Sequence, residues 1–226
     1  MRRALLAAVG VFGALLASGS ATAQIDRGIL EAMVGPWTVL PTDGRPACQI
    51  DLKIESIGDG MAAVPGPTCK LSLPAMAKVV GWKLDDGETQ LVDARGKPQI
   101  RFIEDETALL SSPDLIAPKF YLIPRIIGYD HLPPASELAG AWSIGQHGRR
   151  PCQITLGPVK RTRDGESGVV MASDACGPKS VAAKLTSWSR EDLKVMLWGP
   201  DDLMLVFSPA GKARYTAQPG KWSLTR

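Results

Sequence analysis

The sequence predicts an all-β chain built from two tandem copies of one small antiparallel module. Three observations carry that prediction: a self-match at an offset of about 105 residues, short runs of alternating hydrophobicity, and turn pairs that separate those runs at short intervals. In the self-match Gly35-Pro36-Trp37 falls on Gly140-Ala141-Trp142, Cys48 on Cys152, Cys69 on Cys176, Trp82 on Trp188 and Phe102 on Phe207. The intervals nearly agree: Trp to Cys is 11 and 10, Cys to Cys 21 and 24, Cys to Trp 13 and 12, Trp to Phe 20 and 19. Gly44-Arg45-Pro46 echoes Gly148-Arg149-Arg150-Pro151, and Leu30 to Val34 echoes Ser136 to Ala139. Landmarks in one order at matched spacing place module one over residues 24–125, a linker over 126–134 and module two over 135–226.

The N-terminal stretch reads as a targeting segment. Met1-Arg2-Arg3 supplies a positive end, Ala4 to Ala17 is nearly all apolar, and Ala21-Thr22-Ala23 fits the small-x-small cleavage rule. The apolar run is shorter than the ~20 residues that span a bilayer, so residues 1–23 are expected to be a signal peptide and the mature chain to begin at Gln24. No Cys lies beside the cleavage site to accept a lipid, and export without a membrane anchor follows as the expectation.

In order along each module, Ile50, Leu52 and Ile54 alternate with Gln49, Asp51 and Lys53, as Cys152, Ile154 and Leu156 do with Gln153 and Thr155. Leu203 to Phe207 is a short buried run, and Lys221 to Thr225 ends the chain with alternation. Asp59-Gly60, Asp86-Gly87, Arg95-Gly96, Asp164-Gly165, Gly199-Pro200 and Ala210-Gly211 mark the turns. Many short strands in about 95 residues mean a sandwich or an up-and-down barrel, and barrel closure removes exposed edges. The only helical candidates follow each second Cys, Leu73 to Val80 and Lys179 to Leu185, and neither is long enough for more than one or two turns.

Export makes disulfides the default for Cys48, Cys69, Cys152 and Cys176. Four cysteines allow three pairings that spacing alone does not separate; the repeat selects Cys48 with Cys69 and Cys152 with Cys176, one bridge per copy. A zinc site would want tighter Cys or His clustering than this chain, with only His131 and His147, provides. With 45% hydrophobic and 22% charged residues and a net charge of +3, composition excludes disorder and a multi-pass membrane protein, and no basic block marks a nucleic-acid binder.

The repeated residues resemble the bacterial periplasmic metalloprotease inhibitors of the alkaline-protease (serralysin) inhibitor family, whose module also occurs in some outer-membrane lipoproteins. The resemblance rests on Ala135 to Trp142, Cys152, Cys176 and Trp188 in copy two, and on Gly35-x-Trp37, Cys48, Cys69, Trp82 and Asp86-Gly87 in copy one. It implies a barrel of about eight strands per module, a periplasmic address, and a secreted or periplasmic zinc protease as partner; with no catalytic residues in view, no cofactor and no enzymatic activity are expected. It also implies an N-terminal trunk that enters the protease cleft, here Gln24, Ile25, Asp26, Arg27 and Gly28. The small Ser-Ser start of that family is absent, and Gln24 is able to cyclise, which would remove the amine lone pair that a zinc ion needs. Copy two has no free terminus, so at most one module uses that route.

Other chemistry is weakly signalled. His147 has no acid or nucleophile motif beside it, and Glu104-Asp105-Glu106 lacks a calcium-loop frame and reads as a solvated turn. Trp37, Trp82, Trp142 and Trp188 read as core or barrel-end plugs in preference to cavity lining. Arg45, Arg149 and Arg150 sit in loops that are either partner contacts or hairpin tips. A barrel carrying a small apolar ligand and a structural envelope protein are the alternative functions.

Overall fold

The computed structural model describes residues 27–106, 108–113, 117–162, 165–218 and 221–226; the expected signal segment and Gln24, Ile25 and Asp26 lie outside the described residues. The chain enters the first barrel through helix α1 (Arg27–Met33) and continues through β1 (Gly35–Pro41), β2 (Cys48–Ile57) and β3 (Gly60–Pro65). A short helix α2 (Cys69–Ser72) and a 3-10 turn over Pro74–Lys78 lead to β4 (Gly81–Asp85), β5 (Glu88–Val92), β6 (Pro98–Glu104), β7 (Leu110–Ser111) and β8 (Phe120–Pro124). Each strand pairs antiparallel with the next, and β8 returns to β1 with Leu122 opposite Val39, so the barrel is closed.

The second barrel repeats the order: α3 (Ala135–Leu138), β9 (Gly140–Gln146), β10 (Cys152–Leu156), β11 (Lys160–Thr162) and β12 (Gly165–Ala172), then a 3-10 turn over Asp174–Cys176 and α4 (Val181–Lys184). Strands β13 (Ser187–Glu191), β14 (Lys194–Trp198), β15 (Met204–Gly211), β16 (Arg214–Ala217) and β17 (Trp222–Thr225) complete it. β17 pairs with β9 and β10 pairs with β12, which closes an eight-stranded ring. β11 pairs with β12 alone and forms an appended flap. Each barrel holds its own disulfide, Cys48–Cys69 and Cys152–Cys176.

The repeated landmarks are the cores. Trp82, Leu91 and Phe102 are wholly buried in barrel one and Trp188, Leu197 and Phe207 in barrel two, which fills both interiors with side chains. The indole N–H of Trp82 donates to the Lys53 carbonyl at 2.8 Å and that of Trp188 to the Gly157 carbonyl at 2.9 Å. Burying an indole without such a partner would cost about 1–3 kcal/mol. Close approach is the reason for Gly168: a Cβ there would collide with the Trp188 indole.

Two expectations need correction. The alternation on β2 stops at Leu52, because a bulge between Leu52 and Ser56 shifts the register and leaves Ile54 about half exposed. Helix was expected only after each second Cys, yet α1 and α3 open the two barrels. Neither has the length to be stable alone. Each is held by the Trp of the following strand, whose indole N–H donates to a carbonyl of the last turn: Trp37 to Met33 and Trp142 to Leu138, both at 2.7 Å. That satisfies an acceptor the helix itself leaves open.

β1 from Thr38 to Pro41 and β8 from Tyr121 to Ile123 are buried on both faces. Val39 and Leu122 point into barrel one, whereas Leu40, Tyr121 and Ile123 on the outer face join the core cluster of barrel two. Tyr129 and Leu132 from the connecting segment fill the same cluster. Polar contacts fix the junction: the Tyr121 hydroxyl donates to Asp192 Oδ1 at 2.6 Å, Arg190 Nη1 to the Pro133 carbonyl at 3.0 Å, and the Ala47 amide to the Asp130 carbonyl at 2.7 Å.

Candidate functional site

The root of the expected trunk is anchored to barrel one. Arg27 and Gly28 form the first turn of α1, Leu30 packs against the barrel core and Met33 is buried in it. Arg27 reaches Glu31 at 2.9 Å with both side chains exposed, a surface pair that adds at most a few tenths of a kcal/mol. With the Trp37 clamp behind it, the first turn of α1 is fixed to the barrel.

The Arg45 loop lies at the other end of β1, about 20 Å of strand away from that root, so the fold does not bring these two candidates together. Arg45 is neutralised locally: Nε reaches Asp43 at 2.8 Å and Nη1 reaches the Ser72 carbonyl at 3.5 Å. Arg149 and Arg150 are exposed on the equivalent turn of barrel two, after Gly148 at φ +77°, and no acid pairs with them among the described residues. His147 is on the same turn, with its backbone N–H on the Lys221 carbonyl at 3.0 Å. Asp105 closes its own turn by accepting from the Leu109 amide at 3.1 Å, and no group of His, Cys, Asp and Glu able to hold a metal occurs among the described residues.

Between the connecting segment and the second barrel, a cavity of about 130 Å³ is lined by Tyr129, His131, Glu137, Trp142, Tyr215 and Arg226. His131 bridges two carboxylates, Nδ1 to Asp130 and Nε2 to Glu137, both at 3.0 Å. The hydrogen bond to Asp130 is the main cause that holds His131 above its ordinary 6.5, and Glu137 adds to it against the opposing effect of burial. The same bond holds Asp130 below the usual carboxylate range. Burial pushes the Tyr215 hydroxyl up to about 12 and Tyr129 higher still. The Tyr129 hydroxyl is buried without a hydrogen bond of standard geometry, although Tyr215 lies close enough to perturb it. Arg226 stacks over the Trp142 ring at 4.7 Å and donates to the carbonyls of Glu137, Ala139 and Ala141, which ties the end of the chain to α3.

Sequence reasoning missed Arg214 and Lys221, which stand beside Arg149 on the outer face of barrel two. Only the sheet register brings the three together, because they come from three segments.

The family model described as protease inhibitor Inh matches residues 29–111. No curated protein matches the chain in sequence. The match starts two residues into α1 and runs through β7, taking in Trp37, both cysteines of the first bridge, Trp82 and Phe102. Module two lies outside the match, and its kinship rests on the repeated landmarks and the second closed barrel. Most of the first barrel is therefore similar to the protease inhibitor Inh family, and the second barrel is closed on the same frame.

Proposed function

We propose that the chain is an exported inhibitor of zinc metalloproteases of the serralysin type and has no catalysis of its own. Gln24 to Gly28 enters the protease cleft and barrel one docks on the rim, in the periplasm, once residues 1–23 are removed. The observation that carries this reading is the Inh match, which begins at Ile29, directly behind the inserted segment. The anchoring of α1 by Trp37 supports it, since a fixed root limits the entropy lost when a short segment is ordered in a cleft. Filled barrel interiors favour a protein-binding role over carriage of a small apolar ligand.

Zinc ligation by an N-terminal amine requires the unprotonated form, whose ordinary pKa is about 7.7–8.0. Inhibition is therefore expected to strengthen between pH 6.5 and 8, by roughly tenfold per pH unit at the lower end. The test is a titration of a purified serralysin-type zinc protease with residues 24–226, alongside a serine and a cysteine protease. Stoichiometric loss of the zinc protease activity alone supports the reading. Inhibition confined to the serine or cysteine protease moves the target class, and none at all favours a structural role.

A further inference from the structure

The two barrels are internal controls for each other, and they differ on one face. In barrel one the cross-strand row Leu40, Tyr121 and Ser111 on β1, β8 and β7 is buried, with Leu40 and Tyr121 packed into the cluster of the second barrel. The matching row of barrel two is Gly145, Ser223 and Thr216 on β9, β17 and β16. There the face is open, a groove of about 480 Å³ with that row of small residues in its lining.

The surroundings of the groove are basic. His147 and Arg149 come from the β9–β10 turn, Lys221 from the β16–β17 turn and Arg214 from β16; among the described residues no Asp or Glu lines it. Copy one neutralises its equivalents. The residue before its turn glycine is Asp43, which pairs with Arg45 at 2.8 Å, whereas copy two has His147 there and an extra Arg150. Lys119 and Lys221 hold equivalent places, since Thr42 donates to the Lys119 carbonyl as His147 does to the Lys221 carbonyl. Lys119 lies over the Tyr121 ring at 5.7 Å, but the residue two after Lys221 is Ser223 and offers no ring. The charge division is wider than the groove: residues 24–125 carry 11 Lys and Arg against 14 Asp and Glu, and residues 135–226 carry 13 against 8.

We propose that this groove of the second barrel binds an acidic segment of a protein partner, a short Asp- or Glu-bearing stretch laid across β9, β17 and β16. Arg149 and Arg214 are suited to grip carboxylates in paired N–H contacts, and Lys221 adds a point charge. The hydroxyls of Ser223 and Thr216 and the amide of Gln146 are left to contact the backbone or the second carboxylate oxygen. Binding here does not depend on what the first barrel inhibits.

The experiment is a fluorescence anisotropy titration of fluorescein-labelled hexaglutamate with residues 24–226 at low ionic strength, with labelled hexaserine as the neutral probe. A groove variant, Arg149→Glu/Arg214→Glu/Lys221→Glu, is compared with a distant one, Lys53→Glu/Lys70→Glu/Lys78→Glu. The two alter net charge equally, and all six side chains are exposed. The expected result is hexaglutamate binding that weakens with salt, falls by more than about tenfold in the groove variant and by less than about threefold in the distant one. Circular dichroism checks the fold, and Arg149→Gln/Arg214→Gln/Lys221→Gln replaces the groove variant if reversal unfolds it. Absence of hexaglutamate binding overturns the proposal, as does equal weakening by both variants. So does binding to phosphatidylglycerol vesicles with none to the peptide, or a groove-dependent dimer in sedimentation that excludes the peptide.

Discussion

Leu132 and Ile127 lie five residues apart in the segment that joins the barrels, and the structure assigns them opposite energetic roles. Leu132 is 2% exposed within the core cluster of barrel two, whereas Ile127 is 86% exposed. Leu132→Ala removes buried methyl groups and leaves a cavity in a packed cluster, a change that costs about 2–5 kcal/mol. Ile127→Ala removes nothing buried and is expected to stay within about 0.5 kcal/mol of wild type. With an m of about 1.5 kcal/mol/M in urea, a loss of about 3 kcal/mol moves the midpoint by about 2 M. Urea unfolding followed by circular dichroism reads the shift. Amide exchange locates it, with protection falling first in β9 and β14 while β4 and β5 are spared. Equal small shifts for both variants would refute the reasoning, because they are what a solvated tether would give.

Other outcomes follow from the same geometry. Replacing either cysteine pair by Ala opens a loop of 21 or 24 residues and is expected to cost its own barrel about 3 kcal/mol, read by thermal melts with module-resolved exchange. Gly168→Ala drives a methyl into the Trp188 indole and the Gly157 carbonyl, and about 1–3 kcal/mol of overpacking is expected in urea melts of barrel two, whereas Gly148→Ala meets nothing within 4 Å and only the strain of its positive φ. For the His131 bridge, a raised histidine pKa contributes stability that is complete below 6.5 and is lost as pH rises through the folded value. A lowered Asp130 contributes above 3.8 and loses its contribution as pH falls through its folded value. The gap in stability between wild type and His131→Ala should therefore be widest between about pH 4 and 6.5 and narrow by pH 8, measured by melts across that range.

The frame of the molecule was legible because the repeat exposes it. Trp82 and Trp188, Phe102 and Phe207, and the four cysteines are paired landmarks in the sequence, and each pair occupies the same place in its barrel. The helices α1 and α3 were not legible, since their stability comes from Trp37 and Trp142 reaching back to their last turns and not from their own four to seven residues. The apolar stretch Phe120 to Ile127 is plain in the sequence, but which of its side chains meet the second barrel is not. That needed the register, which turns Leu122 inward and Tyr121 and Ile123 outward. The basic groove was half visible as the Arg149 to Arg150 turn; Arg214 and Lys221 join it only through the pairing of β16, β17 and β9.

The central claim is that the inhibitory element precedes the barrel and is separable from it. Removing Gln24 to Gly28 takes two exposed residues from α1 and leaves Met33, the Trp37 clamp and every strand in place, so residues 29–226 should fold as the full mature chain does. The decisive measurement is the inhibition constant of residues 24–226 against a serralysin-type zinc protease, set beside those of residues 29–226 and of a chain with two residues added before Gln24. Because binding energy concentrates in the few residues placed in a desolvated pocket, the account predicts that both altered chains keep their fold and lose at least about a hundredfold in potency. Full potency in residues 29–226 would contradict it.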